Sequence, residues 1–349
     1  MSEHDHGHDS HGHGHGRAGW IGGLGEVFRP HSHDAADSVD AALGASTEGI
    51  RAVTISLVIL GLTAAAQAVV VLITGSVALL ADTIHNFSDA LTAVPLWVAF
   101  VLGRRRPTRA YTYGYGRAED LAGIFIVAMI ALSAVVAGYQ SVRRLVDPRD
   151  IDYPLVLIAA GLVGFAGNEL VAMYRIRVGE RIGSAALVAD GYHARTDGFT
   201  SLAVVVGAMG ALAGWPLADP VVGLLITVAI LLVLRSAAGD IYHRLMDAVD
   251  PSLSSQALQI LGSTQGVDDV EGVRLRWVGH RLRAEAGITV DPRLDVVAAH
   301  QIANGAHHRL LHGVPKLVDA TIHVCPSAEP GATHHDMLEH HPTVPGVKP

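Results

Sequence analysis

The sequence predicts an α-helical membrane protein, with six transmembrane helices followed by a small αββαβ domain. Three observations carry that reading. Hydrophobic residues make up 50% of the chain and charged residues only 17%, where a soluble globular domain carries about 25% charge. Six apolar stretches lie between residues 53 and 234, each near the roughly 17 to 25 residues that span hydrocarbon. Beyond Arg235 the chain turns polar, and helix and strand periodicities alternate.

The first 50 residues have no apolar period and are rich in Gly, His and Asp, with His4, His6, His8, His11, His13, His15, His31 and His33 among them. Such a composition cannot build a packed core, so residues 1–50 are expected to be a disordered tail that gathers metal. The tail lacks the basic start and apolar core of a secretory signal, which places it on the cytoplasmic side.

The six apolar stretches are Val53 to Ile73, Ser76 to Leu102, Leu121 to Tyr139, Tyr153 to Tyr174, Ala185 to Ala213 and Leu217 to Leu234. They make residues 51–236 a six-helix transmembrane domain, with the lipid bilayer as its solvent. The last stretch is the least secure, because Asp219 and two prolines fall near its start. Orientation follows the arginines of the short loops. Arg104, Arg105, Arg106, Arg109 and Arg117 follow the second stretch and Arg175, Arg177 and Arg181 the fourth, against Arg143, Arg144 and Arg149 after the third. That balance predicts a multi-pass protein of the cell membrane with both termini in the cytoplasm.

Residues 237–326 read as a separate cytoplasmic domain: a helix over Pro251–Gln265, strands over Val273–Val278 and Arg283–Val290, a helix over Leu294–His312 and a strand over Leu317–Val324. A core this small is often helped by oligomerisation. Residues 327–349, rich in Pro, Gly and His, are expected to form a second disordered tail.

Several function classes are excluded by composition. The two lysines, Lys316 and Lys348, stand in no phosphate-cradling G-x-x-x-x-G-K-[ST] arrangement, so no ATP site of that type can be written. Cys325 is the single cysteine, which excludes an internal disulfide framework and a four-cysteine metal site. A formal net charge of -8 argues against nucleic acid. No H-E-x-x-H pair is present, so an intramembrane metalloprotease is not supported either, and no resident cofactor is called for.

The chemistry lies in an internal repeat. Aligning Ala78–Val94 with Ala186–Leu202 at one constant offset gives seven identities, and each copy holds D-x-x-H-x-x-x-D: Asp82, His85 and Asp89, then Asp190, His193 and Asp197. Ionisable side chains at membrane depth are costly and survive in the bundle interior or along a wet pathway. Positions i and i+4 share a helix face, so His85 sits over Asp89 and His193 over Asp197. At about 1.5 Å per residue, Asp89 lies roughly 20 Å from the outer end of its span and Asp197 roughly 18 Å from the inner end of its own, so both sit near the midplane. Two imidazoles and two carboxylates suit Zn(II), with Cd, Co and other divalent metals as competitors. The bland alternative is a pair of His-to-Asp hydrogen bonds across the bundle, which leaves the matched depth of four such groups unexplained. Asp82 and Asp190 are expected to be partners of the imidazoles or part of the access route. Arg195, about 200° round the helix from His193, points away from the site.

With the HNFSD segment at His85–Asp89, the HARTD segment at His193–Asp197, six spans and a trailing αββαβ domain, the chain resembles the cation diffusion facilitator family over residues 50 to 325. The resemblance implies a homodimeric divalent-metal exporter that exchanges cytoplasmic Zn(II) for protons, with a ferredoxin-like cytoplasmic domain at the dimer interface. It implies His85, Asp89, His193 and Asp197 as the transport site, the metal being substrate and not cofactor. Some members bind a further metal in the loop after the second span. Here that loop reads Tyr111 to Arg117 without histidine, so no metal is expected there, and Arg117 is placed to pair with Asp247. Of the histidines that members use at the cytoplasmic dimer interface, only His300, His323 and, with them, Cys325 match. His323 and Cys325 alternate onto one strand face, which suits ligands and ordinary packing equally. A non-transporting membrane metal sensor or scaffold is the alternative function that this ligand set leaves open.

Overall fold

The computed structural model describes residues 34–74, 93–146, 154–215 and 217–327. In chain order these form α1 (Asp34–Thr74), α2 (Ala93–Gly103), α3 (Ala118–Val146), α4 (Pro154–Ile182), α5 (Ala185–Leu212), α6 (Ala218–Leu245), α7 (Pro251–Gly262), β1 (Asp269–Val278), β2 (Arg281–Val290), α8 (Val296–Gly313) and β3 (Leu317–Pro326). Among the described residues, Gly44–Val69 within α1 and the whole of α3, α4 and α6 are long and apolar enough to cross a membrane. Helix α5 matches them in length at 28 residues but is interrupted by Asp190, Arg195 and Asp197.

The helices outrun the apolar stretches that announced them. Residues 34–50, expected in the disordered tail, are helical. The reason is local: this segment is rich in alanine, the best helix former, and the Gly/His bias ends before it. Arg143 and Arg144 lie in the last turn of α3, and Arg175, Arg177 and Arg181 lie inside α4 and not in a loop. A hydrogen-bond ladder does not stop at the hydrocarbon edge, so the arginines counted as loop charge continue their helices. The first part of the second apolar stretch, residues 75–92, lies outside the described residues, as do both expected tails beyond residues 34 and 327.

Helix α4 packs along α5, and α3 along α6. The α4–α5 contact depends on glycine. A Cβ at Gly179 would stand 2.7 Å from a methyl of Val188, and one at Gly191 2.7 Å from Cγ1 of Ile176. Small residues at such points let backbones approach where lipid supplies no hydrophobic drive between helices. At the far end of the bundle Asp219, in the first turn of α6, is met at 2.7 Å by Arg144 of α3, which explains how a carboxylate is tolerated there.

The small domain has the sheet order β1-β2-β3, with β1–β2 antiparallel and β2–β3 parallel. Its core, including Leu261, Leu282, Ile288, Leu310 and Leu317, lies between the sheet and α7 and α8. The β1–β2 turn is a two-residue loop, Gly279–His280, with Gly279 at φ 63°, a backbone conformation open to glycine at little cost. That hairpin points at the membrane domain. Ser46 of α1 meets His280, so the start of the first span and the small domain share one end of the bundle.

Asp250 caps α7 by accepting from the Ser252 amide at 2.8 Å. The Ser252 hydroxyl and then this amide, as hydrogen-bond donors, hold its carboxyl below the ordinary value of 3.8. A depressed carboxyl stabilises the fold at pH above its unfolded value, and the contribution fades as pH falls through the folded one. The thermal midpoint of the small domain is therefore expected to fall more steeply below about pH 4 than in Asp250→Ser, whose cap does not titrate; melting both chains at pH 3 and pH 7 checks this.

Candidate metal centre

The fifth helix delivers one half of the expected site. His193 Nδ1 and Asp197 Oδ1 stand 3.7 Å apart, one turn from each other, with side-chain exposures of 2% and 3%. That is beyond hydrogen-bond reach, yet close to the separation of about 3.3 Å between two ligands that each lie about 2 Å from a tetrahedral Zn(II). Around the pair, Thr196 and Thr200 satisfy their hydroxyls within the helix, donating back to the carbonyls of His193 and Asp197. His85, Asp89 and Asp82 lie outside the described residues. Among the described residues no three His, Cys, Asp or Glu side chains converge on one point.

Asp190 does not serve the imidazole as a partner in this conformation. Its Oδ2 lies 2.9 Å from Nη1 of Arg175 on α4, and the two side chains are 0% and 1% exposed. Two further nitrogens of Arg175, Nε and Nη2, are buried without a hydrogen-bond partner. An ionisable pair of this depth, one turn from His193, was missed because Tyr174 looked like the end of the span and Arg175 like loop. The signal was present in the sequence as a charge of opposite sign on each of two adjacent helices. Arg195 turns away from the site, as expected, and holds Glu169 of α4 through two bonds of 3.1 and 2.8 Å. Asn168, Gln67 and Ser201 are buried polar residues of the same bundle, and Ser201 follows Asp197 by one turn. Sequence reasoning passed over all three because an amide or hydroxyl in a span carries no charge to mark it.

At the end of the bundle nearer the small domain, Arg117 Nη2 meets Asp247 Oδ1 at 2.6 Å and its Nη1 meets Asp120 Oδ2 at 3.4 Å, the first of these being the expected pair. The 111–117 loop also docks on the sheet, with Arg276 and Arg283 placed over the Tyr113 ring. A cavity of about 440 Å³ lies beside it, between Ala185, Val188 and Tyr192 of α5, Arg244 of α6, Trp277 and Lys316. At 100° per residue these α5 positions lie roughly 150° round the helix from Asp190, His193 and Asp197, so the cavity does not open on the site. Burial and the charge of Arg244 push the Lys316 ammonium below its usual range.

In the small domain His323 and Cys325 share the sheet face opposite the helices, His323 exposed and Cys325 buried. His300 is exposed on α8. Burial, then the neighbouring Glu271 carboxylate, pushes the Cys325 thiol up, which disfavours the thiolate that binds metal. Glu271 itself is the extra residue of a bulge between Val270 and Gly272, a feature not visible in the alternation.

Residues 53–246 match the family model described as the cation efflux transmembrane domain, and residues 249–327 that of the cation efflux protein cytoplasmic domain. A "Probable cation efflux system protein" of Mycobacterium tuberculosis is 61% identical over 311 residues, covering 89% of this chain and 93% of that protein. The magnetosome protein MamB of Paramagnetospirillum magneticum is 27% identical over 258 residues, 73% of this chain and 87% of that one. Metal tolerance protein C1 of Arabidopsis thaliana is 25% identical over 294 residues, 77% of this chain and 61% of its own length. Among solved structures, variants of the MamM CTD cover 22% of this chain at 19% identity and a TM-score of 0.22.

Proposed function

The chain belongs to the cation diffusion facilitator family of divalent-metal transporters, and from that membership we propose that it exports Zn(II) from the cytoplasm in exchange for protons. The transport site in this reading is His85, Asp89, His193 and Asp197. The observation that carries it is the His193–Asp197 pair, buried within a membrane helix at a spacing that suits one cation. Imidazole and carboxylate bind metal in their neutral and ionised forms respectively, so protons compete with the cation at each ligand. Facing the cytoplasm the four groups take up the metal, and facing outward protonation releases it, in a cycle of alternating access around a fixed site.

Both termini are cytoplasmic in this reading. The contact between Ser46 and His280 supports it, since it puts the start of the first span beside the small domain. The protein acts as a homodimer, in keeping with the family of its cytoplasmic domain. A site at His300, His323 and Cys325 would need ligands from the second protomer, because His300 lies on α8 while His323 and Cys325 share the sheet face opposite the helices.

The experiment is Zn(II) uptake into proteoliposomes with an acidic lumen. Accumulation that disappears when the pH gradient is collapsed is expected. Binding of Zn(II) without flux under any gradient would replace transport with the sensor reading.

A further inference from the structure

His280, at the tip of the β1–β2 hairpin, leaves its own domain and enters the membrane domain. Its Nδ1 lies 2.8 Å from Oε2 of Glu119 on α3, its Nε2 lies 3.3 Å from Oγ of Ser46 on α1, and its ring centroid is 6.0 Å from that of Phe100 on α2. His280 is 7% exposed and Glu119 4%. The neighbouring residues extend the joint. Arg244 of α6 donates to the Gly279 carbonyl at 2.9 Å and to the Gly183 carbonyl, in the α4–α5 turn, at 2.6 Å, and lies over the Trp277 ring. Val278 fills the space at Gly116. One hairpin tip thus meets α1 near the start of its span, the ends of α2, α3 and α6 and, through Arg244, the turn between α4 and α5.

A cation coming from the cytoplasm must pass those ends. His193 and Asp197 are 1% and 2% exposed, so the ends have to part before metal reaches them. Resting on the transport reading above, we propose that the hairpin tip is a wedge that holds the cytoplasmic side of the bundle closed, with His280 as the positioning residue that seats it through Glu119. The chemistry of the joint fits a part that docks and undocks. A permanent plug of this size is most stable when apolar, because buried polar and charged partners spend on desolvation much of what they gain from each other. Imidazole, carboxylate and hydroxyl exchange one another for water when the tip withdraws, and they fix its register when it returns.

A disulfide staple tests this. An ideal Cβ at Gly116 lies 2.8 Å from Cγ1 of Val278 and 2.9 Å from its carbonyl oxygen, so cysteines at the two positions are immediate neighbours, and a small outward shift of the loop brings them to the Cβ–Cβ separation of about 3.8 Å at which a disulfide closes. Gly116→Cys and Val278→Cys are introduced together in a Cys325→Ala parent, and Zn(II) uptake is measured in proteoliposomes before oxidation, after it and after reduction. Oxidation is expected to slow uptake at least about tenfold and reduction to restore it, the parent being unaffected. A pair that is crosslinked by mass yet transports at the reduced rate overturns the wedge alone. A parent that moves no Zn(II) overturns the transport reading and the wedge with it. If the cysteine pair does not fold, His280→Ala decides. It is expected to lower the half-saturating Zn(II) concentration about threefold or more, because a larger fraction of molecules is open to the cytoplasm, while His280→Gln stays nearer the native value. No change in His280→Ala overturns the proposal.

Discussion

Asp197→Ala is expected to abolish Zn(II) uptake and to weaken Zn(II) binding at least about 100-fold, while the protein remains folded. The magnitude has a floor: removing even an outer partner of a metal ligand costs about 10- to 100-fold in affinity, and a ligand costs more. The folded state survives because alanine is the best helix former. His193→Ala is expected to behave alike. Titration calorimetry of the purified chain with Zn(II), beside uptake in proteoliposomes, separates loss of binding from loss of movement. Full uptake by Asp197→Ala would remove the fifth helix from the transport site.

Arg175→Met is expected to do the reverse, costing about 3–5 kcal/mol of stability, the usual result of stripping one partner from a buried ion pair. Asp190 then remains as a carboxylate that is 0% exposed and has lost its guanidinium. The double change Arg175→Met with Asp190→Asn is expected to recover much of that cost, since the charge left behind is what destabilises. Thermal unfolding of the three variants and the native chain in detergent completes the cycle. A single variant as stable as the native chain would show that the pair is not structural. The contrast is informative in itself: two acidic residues seven positions apart on one helix, one proposed to hold cargo and the other paired with Arg175.

That contrast also marks how far the sequence could be read. The spans were legible because a long apolar run has few alternatives, and the D-x-x-H-x-x-x-D repeat stood out because ionisable groups are expensive in hydrocarbon. The small domain was legible to within a few residues because its strands alternate and its helices have an apolar face. Asp190 reads from sequence as an imidazole partner or part of the access route, because its actual partner, Arg175, sits on another helix at the apparent end of a span. His280 was invisible for a stronger reason. Its meaning comes from Glu119 and Ser46, 161 and 234 residues away in the chain, and nothing in the local pattern of a hairpin turn hints at them. The extent of α1 was missed through averaging, since the Gly/His bias of the first 33 residues masked the alanine-rich segment that follows.

The length of α1 bears on how the cell's metal would be delivered. At about 1.5 Å per residue its 41 residues make a rod of roughly 60 Å, twice the thickness of the hydrocarbon it crosses. The 10 residues from Asp34 to Leu43, ahead of the Gly44–Val69 span, add a stalk of roughly 15 Å, and α1 touches β3 and α8 of the small domain. A tether concentrates whatever it binds around its anchor point, and the anchor that α1 offers packs against β3, the strand that carries His323 and Cys325.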